Sequence, residues 1–253
     1  MKAVIMAGGR GTRLAPFTKV LPKPLIPLGD YPLLEIIICQ LREAGFDEII
    51  LTVNYLAHLF QAYFGNGERQ GVSLRYSLEE KPLGTAGPLS LIDGLDEAPF
   101  LVMNADLLTD IDFRHLYRTH LAQEAAITMA LHAKEHKVDF GVIETDEAGR
   151  VLKCAEKPVL RYQVNMGIYV VSPAVLPHIP HNQFSTMVDL VERYMAEEHG
   201  VYGYRFEGTW MDLGQVDDFD RVATQFQQLT EVAEERVPLE SYIGFLSTLP
   251  VEA

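Results

Sequence analysis

The chain has 253 residues, enough for one large domain or two small ones with a substantial buried core. Hydrophobic residues make up 48% and charged residues 22%, a composition that excludes a disordered chain. The formal net charge of −14 excludes a protein coated with positive charge for nucleic-acid binding, but it is compatible with a local basic pocket for a small phosphate ligand.

The number of cysteines and the length of the apolar runs narrow the possible classes of protein further. The two cysteines, Cys39 and Cys154, are too few for a disulfide scaffold or a Cys-based zinc site. No apolar run reaches the ~18 residues of a membrane span, and the N-terminal apolar stretch is too short for a signal peptide. We therefore expect a cytoplasmic protein with neither a membrane nor nucleic acid among its partners.

In the first half of the chain, short apolar runs alternate with amphipathic segments, as is typical of an α/β domain with a mostly parallel sheet. The pattern predicts strands at 3–7, 48–53, 72–76 and 100–103. It predicts helices at 33–44, 57–64 and 112–121, the first stopped by Gly45 and the third capped by Asp112.

The second half is richer in β-like segments, with turns between them. Strands are predicted at 126–132, 140–144, 151–154 and 163–171, and helices at 185–198 and 216–228. No linker divides the chain, so we expect one domain over residues 1–228, followed by a peripheral C-terminal helix or arm over 229–253. The predicted fold is a Rossmann-like three-layer α/β domain with a mixed, mostly parallel sheet and a β-rich second lobe.

A glycine-rich turn directly follows the first predicted strand. Gly8, Gly9 and Gly11 allow backbone N–H groups to approach a ligand closely, and Arg13 adds a charged fork suited to phosphate oxygens. The turn lacks the third glycine of a dinucleotide fingerprint, and no Walker Gly-Lys-Ser/Thr follows it. From these residues alone, phosphate binding and a plain strand-to-loop turn both remain open.

One lysine and two aspartates extend this pattern. Lys23 lies between Pro22 and Pro24, which restrict the backbone and hold the ammonium on a stiff base suited to a phosphate. Asp106 follows the strand at 100–103, where α/β sheets bind ligands, and Asp212 ends another β-like segment. Two converging carboxylates suit Mg²⁺, although a lone Asp at either position is also a common turn or capping residue.

Seven segments, in this order, resemble the sugar-1-phosphate nucleotidyltransferases, or NDP-sugar pyrophosphorylases. They are GGRGTRL at 8–14, LPKPLIP at 21–27, PLGTAGPL at 82–89, NAD at 104–106, AEKP at 155–158, VNMGIY at 164–169 and GTWMDLG at 208–214. The resemblance covers roughly residues 1–228 and is greatest to members like the mannose-1-phosphate guanylyltransferases. It implies transfer of a nucleotidyl group from an NTP, with GTP favoured, to a sugar 1-phosphate. Mannose, glucosamine, heptose and glucose phosphates all remain open.

The resemblance also implies a role for each matching residue. Catalytic roles are implied for Arg13, Lys23, Asp106 and Asp212, with Mg²⁺ held by the two aspartates. Nucleotide binding is implied for Gly8, Gly9, Gly11, Thr12, Gly84 and Thr85, and we expect Glu80 to accept hydrogen bonds from a guanine edge. The β-rich lobe is expected to bind the sugar phosphate through Gly141, Glu156, Lys157 and Asn165.

Other readings of the sequence remain. The sequence is also compatible with a uridylyl- or thymidylyltransferase, or with a non-catalytic sugar-nucleotide sensor on the same fold. It is compatible with assembly as a homo-oligomer as well. A nicotinamide oxidoreductase is disfavoured by the missing third glycine. A zinc pair of His132 and His136 is disfavoured because Lys134-Glu135 is predicted to form a turn.

Overall fold

The computed structural model describes residues 1–9, 11–14, 17–54, 56–196, 200–214, 216–231 and 237–249. Within them lie thirteen strands: β1 (Lys2–Met6), β2 (Pro27–Leu28), β3 (Tyr31–Pro32), β4 (Glu48–Val53), β5 (Ser73–Leu78), β6 (Phe100–Asn104), β7 (Leu107–Thr109), β8 (Ile127–Lys137), β9 (Val142–Thr145), β10 (Val151–Ala155), β11 (Val159–Val171), β12 (Val201–Phe206) and β13 (Trp210–Asp212). The α-helices of these residues are α1 (Leu33–Glu43), α2 (Ala57–Phe64), α3 (Phe113–Ala122), α4 (Met187–Ala196), α5 (Val216–Glu231) and α6 (Leu239–Leu246).

Seven strands form the central sheet, in the order β12-β8-β11-β6-β1-β4-β5. The pairs among β6, β1, β4 and β5 are parallel, and so is the pair of β12 with β8. β11 runs antiparallel to both of its neighbours, β6 and β8. The sheet is therefore mixed and mostly parallel, as the sequence predicted.

Side chains along the central strands alternate between two apolar cores. On β1, Ala3 and Ile5 pack with α1 on one face, whereas Val4 packs on the other face in the cluster that contains Leu190 of α4. Because both faces are covered by helices, these strands are apolar at almost every position. This arrangement is the three-layer architecture expected from the sequence.

The first-half elements lie where the pattern predicted them, to within one or two residues. α1 ends at Glu43, and Gly45 (φ 92°) then allows Gly45 and Phe46 to donate N–H hydrogen bonds back to Arg42 and Leu41. Asp112 caps α3, accepting a hydrogen bond from the N–H of His115 at 2.8 Å.

The β-rich lobe extends further than predicted. β8 runs on to Lys137 and pairs residue by residue with β11 from Val159, so the predicted turn at Lys134-Glu135 is wrong. This outer part of the ribbon is largely exposed on both faces and therefore carries no apolar alternation that would reveal a strand. β9 and β10 pair only with each other as a separate hairpin.

The C-terminal helix α6 contributes to the main core. Tyr242 and Leu246 are fully buried, and the Tyr242 ring stacks on Phe226 of α5 at 5.3 Å between centroids. The domain division at residue 228 stays a prediction, and α5 crosses it. Residues 197–198 of the predicted helix 185–198, and residues 232–236 and 250–253 of the predicted arm, lie outside the described residues. None of the described helices has the length and apolarity needed to span a membrane.

Candidate active site

A cleft of about 510 Å³ opens at the carboxyl ends of β1 and β6. This is the edge at which α/β sheets bind ligands. Ten of the residues singled out in the sequence line it: Gly8, Gly9, Gly11, Thr12, Arg13, Lys23, Gly84, Thr85, Asp106 and Asp212.

The glycine turn after β1 makes two close contacts that a side chain would prevent. A Cβ on Gly8 would lie 2.6 Å from Oε1 of Glu79, and one on Gly11 would lie 2.9 Å from the Thr18 methyl group. Gly11 also has a φ of +57°, and its carbonyl accepts a hydrogen bond from the Thr18 hydroxyl. The turn is therefore packed tightly between Glu79 on one side and the Lys23 segment on the other.

Lys23 lies in a short 3₁₀ turn, Lys23–Leu25, and its side chain is only 7% exposed. Its Nζ atom lies 2.6 Å from Oδ2 of Asp106. A lysine so buried is retained only with a charged partner, and this one is directed into the cleft. The backbone around Lys23 is restricted, as expected, since the Pro22 carbonyl also accepts a hydrogen bond from the N–H of Leu25.

The pairing of β7 with β13 brings the two aspartates together. Asp212 lies opposite Leu107 in this antiparallel ladder, and the Leu213 N–H donates to the Asp106 carbonyl at 3.0 Å. Burial, and next the nearby charge of Asp106, raise the pKa of Asp212, while Lys23 opposes that rise. The two carboxylates therefore interact within one cleft.

The donor set fits a divalent cation held partly by substrate. No cluster of three or more His, Cys, Asp or Glu side chains suited to a metal exists among the described residues. Asp106 and Asp212, whose charges repel each other, offer two carboxylates of the kind that bind a divalent cation alongside phosphate oxygens and water. Sequence reasoning found both residues by their place at strand ends.

The carboxylate that lines the cleft beyond the glycine turn belongs to Glu79. Glu80 is exposed and is not part of the cleft lining, whereas Glu79 is only 6% exposed and is part of it. Glu79 accepts a hydrogen bond from the Leu83 N–H at 3.1 Å. Burial raises the pKa of Glu79, and its bonds to Leu83 and Thr52 oppose that rise.

The four residues expected to bind the sugar phosphate lie in the β-rich lobe, outside the lining of the cleft. A Cβ on Gly141 would lie 3.1 Å from Oε2 of Glu156, so the structure brings these two residues together. Lys157 is exposed and has a φ of +44° directly before Pro158, a position where extended backbone is normally required. Strain of this kind is concentrated at ligand sites.

Asn165 lies at an irregularity of β11, just before the left-handed Gly167. Its Oδ1 accepts the Gly167 N–H at 2.9 Å, and its Nδ2 bonds to the hydroxyl of Tyr169. Its amide therefore stabilises the irregularity in the pairing of β11 with β8. Gly167 is needed there, because a Cβ would lie 2.7 Å from Nδ2 of Asn104 in the cleft.

Glu79, Asn104 and Phe184 are among the cleft-lining residues to which sequence reasoning gave no role. Asn104 was available as part of the NAD segment. Glu79 adjoins the residue chosen instead. Phe184 had no signal, because a single aromatic in a turn-like segment is common.

Comparison with known proteins agrees with this geometry. The family described as Nucleotidyl transferase matches residues 2–228. A mannose-1-phosphate guanyltransferase from Candida albicans is 34% identical over 252 residues, 96% of this chain and 69% of the relative. A UTP–glucose-1-phosphate uridylyltransferase from Synechocystis sp. is 33% identical over 87% of this chain and 61% of the relative.

A solved structure supports the fold. The Bacillus anthracis protein described as a glucose-1-phosphate thymidylyltransferase, determined with sucrose, superimposes with a TM-score of 0.74 at 23% identity, covering 94% of this chain and 97% of that one. The chain spans between three-fifths and seven-tenths of the length of the two relatives above. The family resemblance seen in the sequence is confirmed: the chain belongs to the nucleotidyl transferase family, whose matched members are named for nucleotidyl transfer to a sugar 1-phosphate.

Proposed function

We propose that this protein transfers a guanylyl group from GTP to a sugar 1-phosphate, releasing pyrophosphate. The observation that carries the proposal is the ion pair of the buried Lys23 with the half-buried Asp106, with Asp212 beside it, in the cleft next to the glycine turn. A cation and two carboxylates in one cleft suit a polyphosphate that binds with a divalent metal. Transferases of this family generally use such a metal, and we take it to be Mg²⁺.

The chemistry requires charge control more than proton transfer. An oxygen of the sugar phosphate attacks the α-phosphorus of GTP, the bond to the bridging oxygen breaks, and pyrophosphate leaves with that electron pair. The nucleophile is already an anion, so no general base is needed. Arg13 and Lys23 hold the triphosphate and balance its charge as negative charge moves to pyrophosphate. Mg²⁺, bound by Asp106 and Asp212, would add neutralisation of the phosphate oxygens.

We assign recognition of the base to Glu79 rather than Glu80. A carboxylate in the cleft can accept hydrogen bonds from N1–H and the 2-amino group of guanine. The same carboxylate would face a carbonyl of uracil or thymine and remain unpaired, at a cost of roughly 1–3 kcal/mol. The name of the Candida relative supports guanine, while the Synechocystis relative supports uridylyl transfer as the second candidate.

We assign the sugar phosphate to the β-rich lobe. Lys157 would bind its phosphate and Asn165 a sugar hydroxyl, with Glu156 and Gly141 forming the adjacent surface. The exposed, strained position of Lys157 supports a role in ligand binding. The sugar stays open among mannose, glucosamine, heptose and glucose.

A pyrophosphate-release assay with four NTPs against four sugar 1-phosphates tests the proposal. We expect turnover with Mg²⁺ and highest kcat/KM with GTP, and loss of turnover in excess chelator. Higher kcat/KM with UTP or dTTP would move the assignment to the uridylyl or thymidylyl reaction. Binding of a sugar nucleotide without turnover of any pair would identify a sensor instead.

A further inference from the structure

One aromatic ring in the cleft, that of Phe184, is exposed and stacks on no other ring among the described residues. Phe184 is 67% exposed, although it lines a cleft whose other large apolar side chains are buried or half-buried. Within the described residues, it is the one large, strongly exposed apolar side chain in that lining. An exposed phenyl ring at the wall of a binding cleft is a site for a flat apolar surface.

The backbone that carries Phe184 is firmly held. Its neighbour Ser185 is buried, donates its N–H to the Leu83 carbonyl at 3.0 Å, and accepts from the N–H groups of Ala86 and Gly87. The Met187 N–H, at the start of α4, donates to the Thr85 hydroxyl at 2.9 Å. The residues that directly follow the ring are therefore fixed to the segment that contains Gly84.

The ring and Gly84 are in contact range. A Cβ on Gly84 would lie 3.3 Å from Cε2 of Phe184 and only 2.5 Å from the Ser185 carbonyl oxygen, and Gly84 has a φ of +80°. Because residue 84 has no side chain, the Phe184 ring can lie against the loop that contains Gly84. The other side of the ring faces the cleft.

Two linked groups of residues divide the cleft. The charged group consists of Lys23, Asp106 and Asp212. It lies on one side of the glycine turn, where Gly11 approaches Lys23 closely. Glu79 lies against Gly8 on the other side and is joined by its hydrogen bond to Leu83, next to Gly84. Phe184 belongs to this second group, away from the phosphate-binding charges.

We propose that Phe184 packs against the face of the nucleobase, while Glu79 reads the base edge. This inference rests on the proposed nucleotidyl transfer and adds a residue that sets nucleotide affinity. Contact with a ring face is indifferent to hydrogen-bonding groups on the edge, so Phe184 favours purines over pyrimidines only through their larger area. Discrimination among purines is left to Glu79.

Titration calorimetry in the presence of Mg²⁺ tests the proposal with two ligands, GTP and ribose 5-triphosphate, which lacks the base. We expect Phe184→Ala to raise the Kd for GTP about tenfold and to leave the Kd for ribose 5-triphosphate unchanged. Phe184→Trp should retain GTP affinity. Val188→Ala, on the nearby exposed surface of α4, is the matched control and should bind both ligands as the wild type does.

Two results would overturn the assignment: an unchanged Kd for GTP in Phe184→Ala, or an equal loss for the ligand without a base. The second result would indicate that the substitution disturbs the loop rather than a base contact, and thermal unfolding of each variant would show the same disturbance. If the wild type turns over but Phe184→Ala binds GTP normally, this inference alone fails. If the wild type binds no nucleoside triphosphate, the proposed function fails with it.

Discussion

The cleft and the β-rich lobe are built in opposite ways. In the cleft, Lys23 and Glu79 are buried, Asp106 is half-buried, and Lys23 forms an ion pair with Asp106. In the lobe, Gly141, Glu156 and Lys157 are exposed on a thin ribbon and hairpin. Under the proposed assignment, the ion pair preorganises the triphosphate end, whereas the sugar-phosphate end is open to solvent.

Preorganisation has a physical advantage at the phosphate end. Catalysis there depends on charges that are in place as negative charge moves, because reorienting them during the reaction would cost free energy. In the proposed reaction, the lobe binds a sugar 1-phosphate and releases the larger sugar nucleotide. An exposed lobe with one strained residue, Lys157, suits that task.

The largest expected effect comes from the paired aspartates. Asp106→Asn or Asp212→Asn should lower kcat by roughly a hundredfold to a thousandfold, because each removes charge that orders the phosphates and their metal. Pyrophosphate release measured against Mg²⁺ concentration checks this. Asp96→Asn, an exposed carboxylate elsewhere, is the control. Full activity in either variant, or in excess chelator, would refute the metal assignment.

The next effect separates the two regions directly. Lys23→Met should raise the KM for GTP, and Lys157→Met the KM for the sugar phosphate, each by roughly tenfold to a hundredfold, because each loses a charge-assisted hydrogen bond to phosphate. Some loss of kcat is expected in both. Lys81→Met, which is exposed, should change neither KM. A shift of the same KM in both variants would contradict the division between cleft and lobe.

The sequence could place the cleft residues because their signals are local. Glycines after a strand, prolines around Lys23 and acids at strand ends each have a physical meaning within a few residues. The strands of the β-rich lobe were harder to predict from the sequence. The outer part of β8, residues 133–137, lacks a buried face, so its strand has no period to read. The three-residue strands β7 and β13 are too short for any pattern, although their pairing is what joins Asp106 to Asp212.

The choice between Glu79 and Glu80 shows that the sequence also does not reveal which of two neighbouring side chains is buried. β5 ends at Leu78, and successive side chains at the end of a strand point to opposite faces. A shift of one residue along the chain therefore exchanges a buried carboxylate for a solvated one. In the structure, the two residues are distinguished by the burial of Glu79, by its hydrogen bond from the Leu83 N–H and by its position against Gly8.

A smaller effect tests this assignment of the base. Glu79→Gln should lower kcat/KM for GTP relative to UTP about tenfold, because an amide accepts fewer hydrogen bonds from guanine and can donate to a uracil carbonyl. Glu80→Gln is the matched control one residue away and should leave the ratio unchanged. A fall in the ratio with Glu80→Gln alone would return the role to Glu80.

The smallest expected effect concerns stability, and it follows from the raised pKa of Glu79. A carboxyl with a higher pKa in the folded state than in the unfolded state binds its proton more tightly when folded. Its ionised form therefore destabilises the fold at neutral pH, and this penalty declines as the pH falls through the folded pKa towards the unfolded one.

The variant Glu79→Gln carries no such penalty. We expect its free energy of unfolding at pH 7.5, and with it its Tm, to exceed that of the wild type, with the difference shrinking towards pH 4.5. Thermal unfolding at the two pH values checks this, with Glu80→Gln expected to match the wild type at both. A lower Tm for Glu79→Gln at pH 7.5 would mean that the bonds from Leu83 and Thr52 stabilise the buried carboxylate by more than its burial costs. The cleft would then be held together by Glu79 rather than strained by it.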